Sequence, residues 1–231
     1  MEELEQEINN DGEILSPGEA HSPCVLLLDT SSSMNENQKI NSLNNGINRL
    51  IEITKKDEVI SKIVDLAIIE FNNDVKVIQD FAPIVRISPV NLTATGERTM
   101  GKGLVTAIEK IREKRREYNQ MGTPCYMPLI FMITDGEPTD DIQQAINLIR
   151  IEEHKGKLRT VAIGVPGYNK EILKKISPRC VGVNDEGFEE ICTWIAENLI
   201  IFHCCGFTER NGPKFIGLPE NAHVISNYWN D

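Results

Sequence analysis

The sequence predicts an open, doubly wound α/β domain: a Rossmann-like, mostly parallel sheet with one antiparallel edge strand and helices on both faces. Three observations predict it. Cys24-Val-Leu-Leu-Leu28 and Tyr126-Met-Pro-Leu-Ile-Phe-Met-Ile133 are short apolar runs, the pattern of strands buried on both faces of a parallel sheet. Apolar stripes at helical spacing separate such runs, so strand and helix alternate. Ile63–Phe71 and Val75–Phe81 are apolar, β-branched segments joined by only Asn72-Asn73-Asp74. A link that short joins antiparallel strands, so this pair is a hairpin.

Each element follows in order. The first strand is Cys24–Leu28, ended by Asp29 and the polar turn Thr30-Ser-Ser-Ser33. Ile40, Leu43, Ile47, Leu50 and Ile51 fall at offsets 0, 3, 7, 10 and 11, one stripe of a helix. The hairpin comes next. Leu104, Val105, Ala107, Ile108 and Ile111 mark a helix that continues into the charged run Arg112–Glu117. The strand Tyr126–Ile133 ends in Thr134-Asp135-Gly136, and Ile142, Ala145, Ile146 and Ile149 give another helical stripe. Leu158–Val165 reads as a strand, Lys170–Ile176 as a short helix and Cys180–Val183 as a short strand. Phe188, Ile191, Trp194, Ile195 and Leu199 line a closing helix, with Phe188 and Trp194 as core residues. The division is an acidic arm over 1–22, a domain over 23–202, and a tail or small docking element over 203–231.

Charge narrows the function. The chain of 231 residues has 24 Lys plus Arg against 35 Asp plus Glu, a net charge of −11. That balance excludes broad binding to nucleic acid or anionic lipid, which needs a positive surplus. Glu2, Glu3, Glu5, Glu7, Asp11, Glu13 and Glu19 lie in the arm, which holds no Lys or Arg, so most of the acidity belongs to it. The run Lys110–Arg116, with Glu113 inside it and Glu109 and Glu117 beside it, reads as a solvated helix face. No apolar run approaches the ~20 residues of a membrane span. The acidic start lacks the positive segment of a secretory signal, so a reducing cytoplasm is expected, with Cys24, Cys125, Cys180, Cys192, Cys204 and Cys205 as thiols. His203-Cys204-Cys205 is the densest cluster and lacks partners at zinc-ligand spacing.

Chemistry in an open α/β sheet sits where the carboxyl ends of the strands meet the loops. Asp29, Ser31 and Ser33 share one tight loop, and Asp135 ends the strand Tyr126–Ile133. Thr99, in Thr95-Gly-Glu-Arg-Thr99-Met-Gly101, supplies a further hydroxyl just before a helix. An all-oxygen set of two carboxylates and three hydroxyls suits a hard divalent cation, Mg²⁺ best, with Mn²⁺ or Ca²⁺ as alternatives. Neutral hydroxyls leave positive charge and an open coordination position for a carboxylate from another molecule. The plainer alternative is that Ser31–Ser33 cap the following helix and that Asp135-Gly136 is an ordinary turn. Arg98 either helps orient an acidic partner or pairs with Glu97 or Glu137.

Asp29-Thr-Ser-Ser-Ser33, Arg98-Thr99-Met-Gly-Lys-Gly-Leu104 and Ile133-Thr-Asp135-Gly-Glu resemble the three parts of the metal-ion-dependent adhesion site of von Willebrand factor A domains. The resemblance covers roughly residues 23–202 and all five positions match. It implies that Ser31, Ser33 and Thr99 approach the metal through hydroxyls, and that Asp29 and Asp135 act directly or through water. Thr134-Asp-Gly-Glu-Pro-Thr-Asp140, the closing helix with Trp194 and the small size are similar to the bacterial TerY-type proteins of tellurium-resistance and chemical-stress gene sets. That resemblance implies a non-catalytic partner working beside a protein kinase and a metal-dependent protein phosphatase. Family members can carry a C-terminal cysteine-rich metal-binding extension; this tail has only Cys204 and Cys205, so nothing of it is carried over.

The leading expectation is therefore a non-catalytic module that binds a protein partner's Asp or Glu through Mg²⁺. One alternative is a subunit of an AAA-ATPase or chelatase-type complex, where the site would look the same. Another is a Mg²⁺-dependent hydrolase with Asp29 as nucleophile. Against the last, Ser31 stands where such enzymes usually place an acid, and no G-x-S-x-G or Walker-type motif is present. None of the four histidines is placed as a base.

Overall fold

A strand with an unbroken apolar run must have both faces covered, and Ser22–Asp29 (β1) is buried along its whole length. The computed structural model describes residues 19–184, 187–204 (backbone only from 201) and 217–226. The remaining strands are Val64–Phe71 (β2), Val75–Pro83 (β3), Leu129–Thr134 (β4), Arg159–Gly164 (β5), Cys180–Val183 (β6) and Ala222–Val224 (β7). They form one sheet in the order β3-β2-β1-β4-β5-β6-β7. β1 pairs in parallel with both β2 and β4, and β4–β5 and β5–β6 are also parallel. The hairpin β2–β3 is antiparallel.

Helices cover both faces: Lys39–Lys55 (α1), Ile60–Ile63 (α2), Met100–Met121 (α3), Gln143–His154 (α4), Lys170–Ile176 (α5) and Phe188–Cys204 (α6). Successive strand residues point to opposite faces. Leu26 and Leu28 accordingly join a core with Leu43, Ile47, Trp194 and Leu199, under α1 and α6. Val25 and Leu27 join the other core with Leu104, Ile108, Ile146 and Ile149, under α3 and α4. Phe188 and Trp194 are core residues.

Two boundaries and one strand are among the differences from the sequence reading. The strand expected over Tyr126–Ile133 starts at Leu129, because Pro128 has no amide hydrogen to give the ladder. The closing helix continues past Leu199 to Cys204. The sheet also gains a second antiparallel edge, since β7 pairs with β6; three residues, Ala-His-Val, are too few to carry a periodicity. Of the acidic arm, residues 1–18 lie outside the described residues, as do 205–216 and 227–231 of the tail. Among the described residues Cys24, Cys125, Cys180 and Cys192 are thiols outside any disulfide. No helix among the described residues is long and apolar enough to cross a membrane.

Candidate functional site

The chain leaves β1 toward β2 on one side while β4 adds on the other, so the strand order reverses between β1 and β4. Ligands bind at such a switch point, outside the carboxyl ends of the strands. Asp29 ends β1 and Thr134-Asp135 ends β4, with Leu28 paired to Ile133 just before them. Local sequence therefore delivers both carboxylates to one place.

The three predicted loops meet there. Asp29 Oδ1 accepts from the Ser31 amide at 2.9 Å, a turn that folds the serine loop back over the strand end. The Ser31 and Ser33 hydroxyls are 3.2 Å apart, and Ser33 Oγ donates to Asp135 Oδ1 at 2.7 Å. Ser31 occupies the N-cap position of the following 3-10 turn yet makes no side-chain cap hydrogen bond. The capping reading of the serines is thus overturned: Ser31 and Ser33 turn to the site instead.

Thr99 shows the same choice more sharply. It sits at the N-cap of α3, a position where threonine ordinarily accepts from the first turn, and its side chain makes no such bond. Asp140 caps the helix in its place, accepting from the Gly101 and Lys102 amides at 2.9 Å each. The Thr99 residue is 8% exposed and its Oγ1 is buried with no hydrogen-bond partner among the described residues. A buried hydroxyl without a partner is an unusual cost. Among the described residues Thr160 Oγ1, on β5, is the other buried side-chain nitrogen or oxygen in that condition.

Sequence reasoning did not bring Lys39 or Thr134 to the site, and it left open where Arg98 points. Lys39, buried at the start of α1, donates Nζ to Asp135 Oδ2 at 2.7 Å. Thr134 Oγ1 donates to Asp29 Oδ2 at 2.5 Å. Arg98 directs Nε to Asp29 Oδ2 at 2.6 Å, Nη1 to the Glu137 carbonyl at 3.0 Å and Nη2 to Ser31 Oγ at 2.9 Å; Nη2 also contacts Ser33 Oγ and Asp135 Oδ1. Arg98 pairs with the backbone of Glu137 and with the site, and not with the Glu97 or Glu137 carboxylates expected as alternatives.

The loop bearing Arg98 and Thr99 is held from below. Asn44 on α1 pairs both ways with the backbone of Leu92, at 2.9 and 2.7 Å, and Asn48 does the same with Val90, at 2.9 and 2.8 Å. Two amides four residues apart on a helix thereby imitate a neighbouring strand. Gly96, with φ of +72°, makes the bend that follows. The Thr99 amide then bonds the Asn72 carbonyl at 2.8 Å.

Among the described residues no three His, Cys, Asp or Glu side chains converge, so any cation here must use hydroxyls. The donor set fits a hard divalent metal: two carboxylates, three hydroxyls, and one of those hydroxyls left without a partner. His21 lies instead at the far end of β1 with Asp65, at 3.1 Å, and His223 beside Tyr168, at 3.1 Å.

The sequence profile of the von Willebrand factor type A domain matches residues 24–191. The chain belongs to that family. A von Willebrand factor A domain commonly mediates protein–protein contact through a divalent metal and is typically non-catalytic. Proximal thread matrix protein 1 from the mussel byssus is 18% identical, with a TM-score of 0.54 over 78% of this chain and 46% of that one. A form of that protein with a zinc-occupied adhesion motif aligns at 19% identity and a TM-score of 0.53 over 80% of this chain and 46% of that one. The pilus adhesin SpaC from Lactobacillus rhamnosus GG aligns at 11% identity and a TM-score of 0.64, over 79% of this chain and 31% of that one. BatB from Bacteroides thetaiotaomicron aligns at 16% identity and a TM-score of 0.56, over 80% of this chain and all of that one. The chain thus spans about a third to a half of the length of the mussel protein and the adhesin. At these identities the likeness shows the fold. No curated protein sequence matches the chain.

Proposed function

We propose that this von Willebrand factor A domain is a non-catalytic interaction module that takes an Asp or Glu side chain of a protein partner through a divalent cation, Mg²⁺ foremost, held by Asp29, Ser31, Ser33, Thr99 and Asp135. The observation that carries the reading is the buried, unpartnered Thr99 Oγ1, left free because Asp140 caps α3 in its stead. A cation held here would supply the partner that this oxygen lacks and could take a carboxylate from another molecule. The zinc reported in the adhesion motif of the mussel protein supports a metal at the equivalent place.

The chemistry of the chain's own groups favours binding over turnover. Asp29 accepts from Thr134 through Oδ2 and from the Ser31 amide through Oδ1, so both oxygens of the would-be nucleophile are already engaged. Ser31, two residues on, cannot act as a general acid near neutral pH. The resemblance of Thr134–Asp140 and of the closing helix to TerY-type proteins places the module, in this proposal, in a cytoplasmic chemical-stress response beside a kinase and a phosphatase. The tail then supplies β7, the last strand of this single binding domain.

The test is affinity purification from the native cell with and without EDTA, followed by calorimetry with the captured partner. Binding is expected to need the metal and to fall at least tenfold in Asp29→Ala. Unchanged affinity under EDTA and in Asp29→Ala removes the metal bridge.

A further inference from the structure

The guanidinium of Arg98 stands among the same oxygens that the metal reading requires. It contacts Asp29 Oδ2, Ser31 Oγ, Ser33 Oγ and Asp135 Oδ1, leaving only Thr99 Oγ1 of the five predicted ligand groups without a partner. Its side chain is 12% exposed, and those of Asp29 and Asp135 are 0% and 1% exposed. Two buried carboxylates need compensating charge, and Arg98 with Lys39 provides it in full: two negative charges against two positive. Placing a divalent ion beside both cations leaves a surplus of two positive charges, unfavourable where water is excluded.

We infer that Arg98 is the site's resident cation: it closes the metal-free site by occupying the ligand oxygens, and a divalent metal binds by displacing its guanidinium. This rests on the metal reading above. The contact pattern argues for exchange over a permanent arginine site. Nη2 carries two hydrogens and faces three oxygens, Ser31 Oγ, Ser33 Oγ and Asp135 Oδ1. It can give a full two-centre hydrogen bond to only two of them at once, whereas a metal takes six or more oxygen ligands. The guanidinium also leaves Thr99 unpaired. Arginine therefore fills the position without completing it, and the deficit is what a metal recovers when it enters.

Gly136 offers a way to move the guanidinium without deleting it. A Cβ there would fall on Arg98 Nη1, the far end of a flexible side chain, and Gly136 has no positive φ. Gly136→Ala should therefore expel Arg98 from the oxygens while keeping the arginine in the chain.

The experiment compares the full chain with Arg98→Ala and Gly136→Ala, measuring Mn²⁺ and Mg²⁺ affinity by calorimetry and thermal unfolding in EDTA. Arg98→Ala is expected to bind Mn²⁺ at least tenfold more tightly than the parent, about 1.4 kcal/mol, with Gly136→Ala between them. In EDTA Arg98→Ala should melt below the parent, and added Mn²⁺ should raise its melting temperature by more than it raises the parent's. Equal Mn²⁺ affinity in all three proteins overturns the displacement while leaving the metal reading intact. No metal binding to any of them overturns the metal reading and the displacement with it. If Arg98→Ala fails to fold in EDTA, Gly136→Ala decides: tighter Mn²⁺ binding supports the displacement and parental affinity overturns it.

Discussion

Replacing Thr99 by valine should act in opposite directions with and without metal. Valine keeps the shape of threonine and removes the hydroxyl whose Oγ1 is buried without a partner. An unsatisfied buried polar group costs about 1–3 kcal/mol. Because Thr99 makes no cap hydrogen bond and Asp140 holds the helix start, the exchange forfeits no compensating contact. The metal-free Thr99→Val protein should therefore be more stable than the parent by about 1–2 kcal/mol, roughly 2–8 °C for a chain of this size. With metal at a hundredfold excess over its dissociation constant the parent gains about 2.7 kcal/mol, and Thr99→Val should lose most of that gain. Thermal unfolding by circular dichroism in EDTA and in saturating Mn²⁺ measures both. Thr160→Val is the matched control: it removes the other unpartnered hydroxyl, away from the site on β5, and should stabilise in both conditions alike. A Thr99→Val protein that melts lower than the parent in EDTA, or that keeps the full metal-induced rise, refutes the reasoning.

Further outcomes follow from the same contacts. Lys39→Met should destabilise the metal-free protein by about 3 kcal/mol, because it strips one partner from a buried ion pair whose side chains are 6% and 1% exposed; a loss under about 1 kcal/mol in urea unfolding speaks against that pairing. Asp140→Ala should cost about 1 kcal/mol by removing the cap from α3, read as a lower urea midpoint, and an unchanged midpoint means that the cap contributes nothing. Alkaline pH should weaken the fold. Burial pushes the Cys125 thiol up to about 11 and those of Cys180 and Cys192 up to about 12, from an ordinary 9.0. Their folded pKa values lie above the unfolded ones, so this stability is full below about pH 8.5 and is lost as pH rises toward those values. By pH 10 the loss should be about 1 kcal/mol per thiol, seen as a urea midpoint lower than at pH 7.5; equal midpoints at the two pH values contradict it.

The sequence by itself determined the α/β alternation and the five candidate ligand residues. Both are local properties: an apolar run ended by aspartate marks a buried strand and its terminus, and hydroxyls two residues apart, or just before a helix, mark the loops that follow. Only the tertiary structure decided what surrounds those oxygens. Arg98 reaches Asp29 and Asp135 from 69 and 37 residues away in sequence, and Lys39 reaches Asp135 from 96. Asn44 and Asn48 grip a segment more than 40 residues along the chain, and Asp140 takes over a helix cap that local rules assign to Thr99. No period or motif announces such contacts, because they depend on which loops the strand order brings together. The second antiparallel edge, β7 on β6, escaped for the same reason: three residues acquire a partner only once the sheet exists. The residue types thus specify the candidate ligand groups, and the packing of loops at the β1–β4 switch point specifies that Arg98 lies among them.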